Sequence, residues 1–255
     1  MIGPLSRDVV AGSPPRIGGA PWHAARALRT LRHDAFIFAK CGTDDRREMQ
    51  PRLAALGLPV SVAGSGETAE FSFSYAPDGT RTMNLDAVGQ PWTRADVSAQ
   101  LLRRVEWLHV GPLVRGDFDE DMLEWLARDR RLLLDAQGLV RAREVGPLRI
   151  DGDFDRSLLR HVTVLKLAEE EAAAIGDLGE LGVAEVLVTD GPRGSRLVTA
   201  DGETPVPTHP VEGDPTGAGD AFAVTYLASR AAGHNPLSAA QRATALVAAL
   251  IGRAA

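Results

Sequence analysis

A glycine-rich stretch in the last quarter of the chain carries the residues best suited to chemistry. It runs from Gly213 to Phe222, reads Gly-Asp-Pro-Thr-Gly-Ala-Gly-Asp-Ala-Phe, and leads at once into an apolar run with helical spacing. Small residues at the start of a helix let backbone N–H groups approach an anion closely, and the helix dipole adds about half a positive charge there. The stretch therefore predicts a phosphate site.

Asp220 lies in the first turn of this predicted helix, beside the same anion site. A carboxylate there repels a phosphate, so its presence is best explained if it accepts a proton during the reaction. The pairing indicates phosphoryl transfer to a hydroxyl group. A simple helix N-cap is the alternative, because Asp and Gly are both favoured at that position.

The segment from Asp214 to Phe222 resembles the C-terminal signature of the ribokinase-like (PfkB-type) sugar kinases. The resemblance implies an ATP-dependent carbohydrate kinase in which Asp220 is the general base. In many relatives the positions of Asp214 and Thr216 help to bind a monovalent cation, which makes K⁺ a candidate cofactor. The backbone amides that would form the anion hole for the γ-phosphate belong to Gly217, Ala218 and Gly219.

Two segments near the start of the chain resemble the parts of this family that bind substrate hydroxyls. Gly3 to Asp8 is similar to the family's first strand, whose terminal aspartate holds those hydroxyls, and this role falls on Asp8. Gly18 and Gly19 resemble the Gly-Gly pair that opens the substrate-binding helix, where backbone flexibility lets a sugar approach. His23 stands where the family usually has asparagine, and it still offers one hydrogen bond.

Two later segments resemble the donor side of the family's site. Val164 to Glu171 is similar to the strand-to-helix element that usually reads Lys-x-Asn-x-x-Glu, with Ala168 in place of the asparagine. Lys166 then becomes a nucleotide-binding residue, and Glu171 becomes the carboxylate that organises Mg²⁺ and its waters. The turn that borders the phosphates and ribose of ATP in the family is matched by Thr189, Gly191 and Gly194.

Alternating strands and helices must position these residues. Short β-rich runs fall at 35–39, 107–110, 132–134, 162–165 and 186–189, with helical spacing between them. This alternation predicts an α/β fold with a mostly parallel central sheet, and the resemblance implies the ribokinase-like three-layer α/β/α sandwich. Three aromatic residues alternate with small or polar ones before a Pro-Asp-Gly turn at 77–79, which predicts a β-hairpin lid at about 59–86. We expect one kinase domain over residues 1–255.

Composition limits the classes of partner. The 255 residues carry a formal net charge of −6, with arginines scattered among acids, which argues against a nucleic-acid partner. The single cysteine excludes an intrachain disulfide and a thiolate metal cluster. No apolar stretch is long enough to span a bilayer and no signal pattern opens the chain, so we expect a cytoplasmic protein without a membrane partner. The strand edges of the lid favour a homodimer.

Other enzyme classes lack their motifs here. We find no Walker loop, no Gly-x-Gly-x-x-Gly after the first strand and no Gly-x-Ser-x-Gly elbow. The spacing of the histidines other than His23 does not suit a zinc site, which makes each of them structural or exposed. A catalytically weak family member that senses a metabolite or nucleotide remains the alternative, favoured by Ala168 and the short C-terminal segment and disfavoured by the retained base. Hexoses, pentoses, inositols and nucleosides all stay open as substrates.

Overall fold

The computed structural model describes residues 1–11, 13–75, 81–209, 211 and 213–252. Its strands are β1 (Ile2–Pro4), β2 (Ser6–Val10), β3 (Arg16–Gly18), β4 (Ile37–Cys41), β5 (Val60–Gly64), β6 (Ala69–Tyr75), β7 (Arg81–Ala87), β8 (Trp107–Val110), β9 (Arg131–Asp135), β10 (Gly146–Pro147), β11 (Val164–Ala168), β12 (Glu185–Thr189), β13 (Ser195–Thr199) and β14 (Gly202–Val206). Its α-helices are α1 (Ala20–Leu31), α2 (Arg46–Ala54), α3 (Ala99–Leu102), α4 (Glu120–Ala127), α5 (Gln137–Val140), α6 (Glu169–Ile175), α7 (Ala218–Ala231) and α8 (Pro236–Ile251).

A nine-stranded central sheet carries the fold, in the order β14-β13-β12-β11-β9-β8-β1-β4-β5. The strands from β12 to β5 pair in parallel, and β13 and β14 add an antiparallel edge. Parallel neighbours require crossover connections, and near-continuous apolar runs such as that of β9 are typical of strands covered on both faces. The predicted α/β architecture is confirmed.

Helices cover both faces of the central sheet. On one face α1, α7 and α8 pack together, and Phe222 and Tyr226 of α7 lie against Leu133 of β9. On the other face Leu123 and Leu126 of α4 join a larger apolar cluster with the strands. None of the helices in the described ranges is both long and apolar enough to cross a membrane.

A second sheet of five strands, which we call the lid, has the order β10-β7-β6-β2-β3. Its strands β2 and β6 pair in parallel, and the other neighbours are antiparallel. Phe71 and Leu85 on its apolar face pack against Leu113 and Val114, which follow the C-terminal end of β8. The lid therefore lies at the C-terminal ends of the central strands, where ligands bind in open α/β sheets.

The predicted boundaries of the lid need a correction. Residues Val60–Gly64, placed in the lid from the sequence, form β5 and pair in parallel with β4 at the edge of the central sheet. The lid also includes β2, β3 and β10, which lie outside the predicted range of 59–86. The hairpin of β6 and β7 is observed as expected. The predicted Pro-Asp-Gly turn at 77–79 lies outside the described residues.

The first predicted strand is divided between the two sheets. β1 ends at Pro4 in the central sheet, and after Leu5 the chain enters β2 of the lid. Asp8 therefore lies within a lid strand, paired with Phe71 of β6, and not at the end of the first central strand. The strand β1 is only three residues long because residues from Ser6 onward pair with β3 and β6 instead.

Candidate active site

The glycine-rich turn forms the start of α7. Gly217 is the N-cap and has a φ of 80°, in the left-handed region that glycine adopts without strain. A Cβ at this position would overlap the imidazole of His23, which lies near the start of α1. The absence of a side chain at 217 therefore lets the turn contact the helix that the sequence assigned to substrate binding.

Backbone N–H groups at the start of α7 are open to an anion. Within the described ranges the amides of Gly217, Gly219 and Asp220 have no acceptor, as expected for a first helical turn. The amide of Ala218 instead donates to the carbonyl oxygen of Pro215 over 2.9 Å. The open amides coincide with the predicted anion hole at Gly217 and Gly219, while Ala218 is engaged within the turn.

Asp220 is partly buried in the first turn of α7. Burial and then the negative charge of Asp135 raise the pKa of its carboxyl to about 6, against the opposing charges of Lys166, His109 and Arg141. A carboxylate with this pKa is ionised at neutral pH and holds a proton more readily than an ordinary aspartate. These are the properties of a general base that works near neutral pH.

A chain of buried polar side chains lies beneath the turn. His109 Nε2 donates to Asp135 Oδ2 over 2.8 Å, and Asp135 Oδ1 lies 2.9 Å from Lys166 Nζ. The Lys166 ammonium lies 2.8 Å from the position that a Cβ of Gly219 would occupy. Glycine at 219 thus leaves room for a positive charge directly under the predicted anion hole.

Neighbouring acidic side chains keep the Lys166 side chain protonated. Burial lowers the pKa of this ammonium, but the negative charges of Asp135, Glu171 and Asp220 outweigh the effect of burial and raise the pKa above its usual value. The sequence assigned Lys166 to the nucleotide. In the structure it lies below the helix start at which a phosphoryl group would bind.

Glu171 is 2% exposed at the start of α6, so it is not part of a solvated acidic helix start. Its Oε2 accepts the N–H of Ala168 over 2.8 Å, and its Oε1 lies 3.5 Å from the Arg141 guanidinium. Because both oxygens have partners, Mg²⁺ would meet Glu171 through water molecules, as its reluctance to lose water allows. Among the described residues, no group of three or more His, Cys, Asp or Glu side chains is arranged to hold a metal ion.

The predicted substrate residues lie together between the lid and α1. Asp8 Oδ1 accepts a hydrogen bond from Ser6 Oγ over 2.7 Å, and a Cβ at Gly18 would overlap the same carboxylate. Gly19 is the N-cap of α1, with a φ of 87°. Burial lowers the pKa of His23, although the charge of Asp8 opposes it. The Asp8 carboxylate thus acts electrostatically on His23, whose ring lies against the turn of α7 at Gly217.

The predicted donor turn follows β12 at the same end of the sheet. Thr189 is paired with Ala168 of β11, and its Oγ1 donates to the carbonyl oxygen of Leu167 over 3.1 Å. Gly191 and Gly194 both have positive φ values, of 50° and 99°. A Cβ at Gly191 would meet open space, so this turn has room for a ligand.

The candidate monovalent-cation residues hydrogen-bond to each other. The backbone N–H and the hydroxyl of Thr216 donate to Asp214 Oδ1 over 2.9 Å and 2.6 Å. These bonds lower the pKa of Asp214, which keeps the carboxylate charged in the exposed loop before α7. The structure thus places a carboxylate and a hydroxyl side by side, which are oxygen ligands suited to K⁺.

Sequence reasoning did not assign a role in the site to His109, Asp135 or Arg141. The first two did leave a signal, because each is a polar residue in an otherwise apolar run that forms a buried strand. Buried polar groups are nearly always paired, so such residues predict a partner on a neighbouring strand. Arg141 follows α5 and left no comparable signal.

Comparison with known proteins identifies the family of this chain. The model of the pfkB family of carbohydrate kinases matches residues 15–254. The chain therefore belongs to the PfkB carbohydrate kinase family.

Among curated proteins, the chain is similar to two plant inositol 3-kinases. It is 33% identical to the Zea mays protein over 202 residues, which covers 77% of this chain and 50% of that protein. It is 36% identical to the protein of Oryza sativa subsp. japonica over 119 residues, which covers 43% of this chain and 30% of that protein. The chain spans half or less of the length of these curated relatives.

Solved structures share the whole fold. A pyrophosphate-dependent kinase of the ribokinase family, complexed with a pyrophosphate analog and myo-inositol, has a TM-score of 0.80 and 24% identity, with 98% of this chain and 94% of that chain covered. A Burkholderia thailandensis nucleoside kinase in complex with inosine has a TM-score of 0.73 and 20% identity, over 98% and 90%. Thermotoga maritima ribokinase has a TM-score of 0.71 and 16% identity, over 100% and 94%. The fold is ribokinase-like.

Proposed function

We propose that this chain is an ATP-dependent kinase that phosphorylates a hydroxyl group of an inositol, with Asp220 as the general base. The contact between Gly217 and His23 carries the proposal, because it joins the anion site to the predicted acceptor residues beside a carboxyl group of raised pKa. Inositol is preferred to other polyols because the curated relatives are inositol 3-kinases and one structural neighbour holds myo-inositol.

In the proposed reaction each of these side chains has a role. Asp8 and His23 hold the acceptor between the lid and α1, with one hydroxyl directed at Asp220. Asp220 takes the hydroxyl proton as the oxygen attacks the γ-phosphorus, and the bond to the β-phosphate oxygen breaks, so that ADP leaves with the electron pair. Charge on the transferring group is stabilised by the open amides of Gly217 and Gly219 and by the Lys166 ammonium beneath them.

Mg²⁺ is the metal that this donor requires. When bound, it would neutralise charge on the donor phosphates. Glu171 would hold its water molecules, and no direct protein ligand is proposed. K⁺ near Asp214 and Thr216 is proposed as an activator, and its effect is measured by replacing K⁺ with a large organic cation.

Pyrophosphate is the second candidate donor. The neighbour with the TM-score of 0.80 is described as pyrophosphate-dependent. In this chain, Lys166 and Arg141 place two positive charges near Asp220. Such charges bind a phosphate chain without any contact to a nucleoside.

A donor-and-acceptor panel followed by ³¹P NMR tests the proposal. The protein is incubated with Mg-ATP or Mg-pyrophosphate and with myo-inositol, ribose, fructose or inosine. An inositol phosphate formed from ATP supports the proposal. Product formed only from pyrophosphate would mean that pyrophosphate, and not ATP, is the phosphoryl donor. If calorimetry detects binding of myo-inositol or ATP but no acceptor is phosphorylated with either donor, the chain is a sensor and the kinase proposal is wrong.

We propose that the chain forms a homodimer through the strand edges of the lid. Its outer strands β10 and β3 end the five-stranded sheet, and open strand edges can pair with a second copy. Light scattering at micromolar concentration should give twice the mass of the 27.1 kDa chain. A mass of one chain would contradict this part of the proposal.

A further inference from the structure

The reaction described above gives no task to His109 or Asp135, although both are deeply buried. They are 1% and 2% exposed and lie on the neighbouring strands β8 and β9. Two residues earlier on the same strands, Trp107 and Leu133 pack under α7, so these polar groups lie on the face that α7 covers. Burying a carboxylate costs free energy unless it is paired, so a specific role is needed to explain this pair.

The two contacts of Asp135 fix its carboxylate in one orientation. Oδ2 accepts the N–H of His109 Nε2 over 2.8 Å, and Oδ1 lies 2.9 Å from Lys166 Nζ. The carboxylate has no proton to give, since Lys166 and the hydrogen bond from His109 outweigh burial and lower its pKa to about 2. Nε2 must therefore be the donor, and the imidazole prevents rotation of the carboxylate away from Lys166.

Lys166 has competing partners at this position. Its ammonium is within electrostatic range of three acids, Asp135, Glu171 and Asp220. A lysine side chain is long and flexible, so without a fixed partner it would move between them. A direct ion pair with Asp220 would hold that carboxylate ionised and make it a weaker base.

We propose that His109 and Asp135 are positioning residues for phosphoryl transfer. They hold the Lys166 ammonium beneath Gly219, where it supports the negative charge of the transferring group, and they keep it from pairing with Asp220. This inference rests on the proposed function. Neither residue touches the acceptor or the donor, so each acts through Lys166.

The groups that face Asp220 come from several elements. They are His109 on β8, Asp135 on β9, Lys166 on β11 and Arg141 after α5, and Glu171 of α6 adds its charge through Lys166. A change at His109 that frees Lys166 therefore alters both the rate of transfer and the pKa of Asp220. If His109 had a purely structural role, its substitution would change neither the rate of transfer nor the pKa of Asp220 in a defined direction.

Two matched variants of His109 test the proposal. His109→Gln keeps an N–H donor at similar reach, whereas His109→Leu has similar bulk and no donor. We expect kcat to fall on the order of tenfold in His109→Leu, as for other residues that orient a catalytic group, with the acceptor KM within about twofold of wild type. His109→Gln should recover most of the loss. Equal losses in both variants, or an unchanged kcat in a folded His109→Leu protein, would overturn the proposal.

A second measurement does not depend on turnover. In protein labelled with ¹³C at the aspartate carboxyl groups, the Asp220 signal is assigned by its loss in Asp220→Asn and is then titrated. We expect His109→Leu to lower the midpoint of Asp220, because the freed Lys166 ammonium pairs with it, whereas Lys166→Met should raise the midpoint by removing that charge. His109→Gln should leave the midpoint near wild type. An unmoved midpoint in His109→Leu would refute the inference. If wild type phosphorylates no acceptor but the midpoints shift as expected, the proposed function fails while the positioning of Lys166 stands.

Should His109→Leu fail to fold, Asp135→Asn tests the same link. It keeps a hydrogen-bonding group opposite His109 but removes the charge that holds Lys166. We expect kcat to fall at least as far as in His109→Leu, about tenfold or more, with little change in acceptor KM. A kcat within about twofold of wild type would contradict the proposal.

Discussion

The substitution Asp220→Asn is expected to make the fold more stable at neutral pH, in addition to its effect on catalysis. Burial and the charge of Asp135 raise the pKa of Asp220 from 3.8 to about 6. A shift of about 2 units corresponds to about 3 kcal/mol of free energy that the folded state loses when this carboxyl ionises. Asparagine has a similar shape and no charge, so it removes that cost. Allowing for the poorer hydrogen bonding of the amide, we expect a gain of about 1–3 kcal/mol.

The pH dependence distinguishes this effect from a general stabilisation. In the unfolded chain the carboxyl loses its proton near pH 4, whereas folded Asp220 keeps it up to about pH 6. The folded state of wild type therefore loses stability relative to the unfolded state as the pH rises from about 4 to 6. The advantage of Asp220→Asn should be near zero at pH 4, about half-developed at pH 5 and complete above pH 7.

Urea denaturation of both proteins at pH 5 and pH 8 measures the gain, and Asp201→Asn, an exposed acid between β13 and β14, is the control. Thermal melts at pH 8 should show an increase of roughly 3–10 °C for Asp220→Asn. The control should stay within about 0.5 kcal/mol of wild type. A loss of stability at pH 8, or a gain of the same size at both pH values, would refute the assignment of a raised pKa to Asp220.

Three further predictions follow from the same geometry. Turnover should rise with pH through a midpoint of about 6, because only ionised Asp220 accepts the proton; a pH–rate profile that is flat from 5 to 8 would contradict this. Gly219→Ala should lower kcat by about tenfold or more, because its Cβ would lie 2.8 Å from the Lys166 ammonium, whereas the exposed control Gly179→Ala should be neutral in the same assay. Gly18→Ala should raise the acceptor KM by about tenfold with the donor KM unchanged, because its Cβ would displace the carboxylate of Asp8; equal changes in both constants would argue against an acceptor role for this pair.

The sequence predicted those strands and helices well whose apolar pattern lies within a short run of neighbouring residues. The run Trp107–Val110 forms a strand with the predicted bounds, and the apolar run that was predicted to be helical after Phe222 lies inside α7. The run predicted at 35–39 forms a strand at Ile37–Cys41, a shift of two residues that is common at element ends. Apolar periodicity and a glycine-rich helix start are properties of neighbouring residues, so the sequence displays them directly.

The composition of the lid and of the buried chain could not be predicted in the same way. The lid combines β2 and β3 from the start of the chain with β10 from its middle, and the sequence pattern of Val60–Gly64 does not distinguish an edge strand of one sheet from a strand of the other. Likewise, His109 and Asp135 are 26 residues apart along the chain and meet only because β8 and β9 are neighbours. Such contacts depend on strand order, which periodicity does not encode.

The rate of inositol phosphate formation by wild type and by Asp220→Asn tests the central claim most directly. Both proteins are given myo-inositol and saturating Mg-ATP, and the product is quantified by ³¹P NMR while ATP binding is measured by calorimetry. The account predicts that wild type forms inositol phosphate and that Asp220→Asn is slower by about 10²- to 10⁴-fold with ATP affinity largely kept. Turnover of Asp220→Asn close to that of wild type would contradict the assignment of Asp220 as the base.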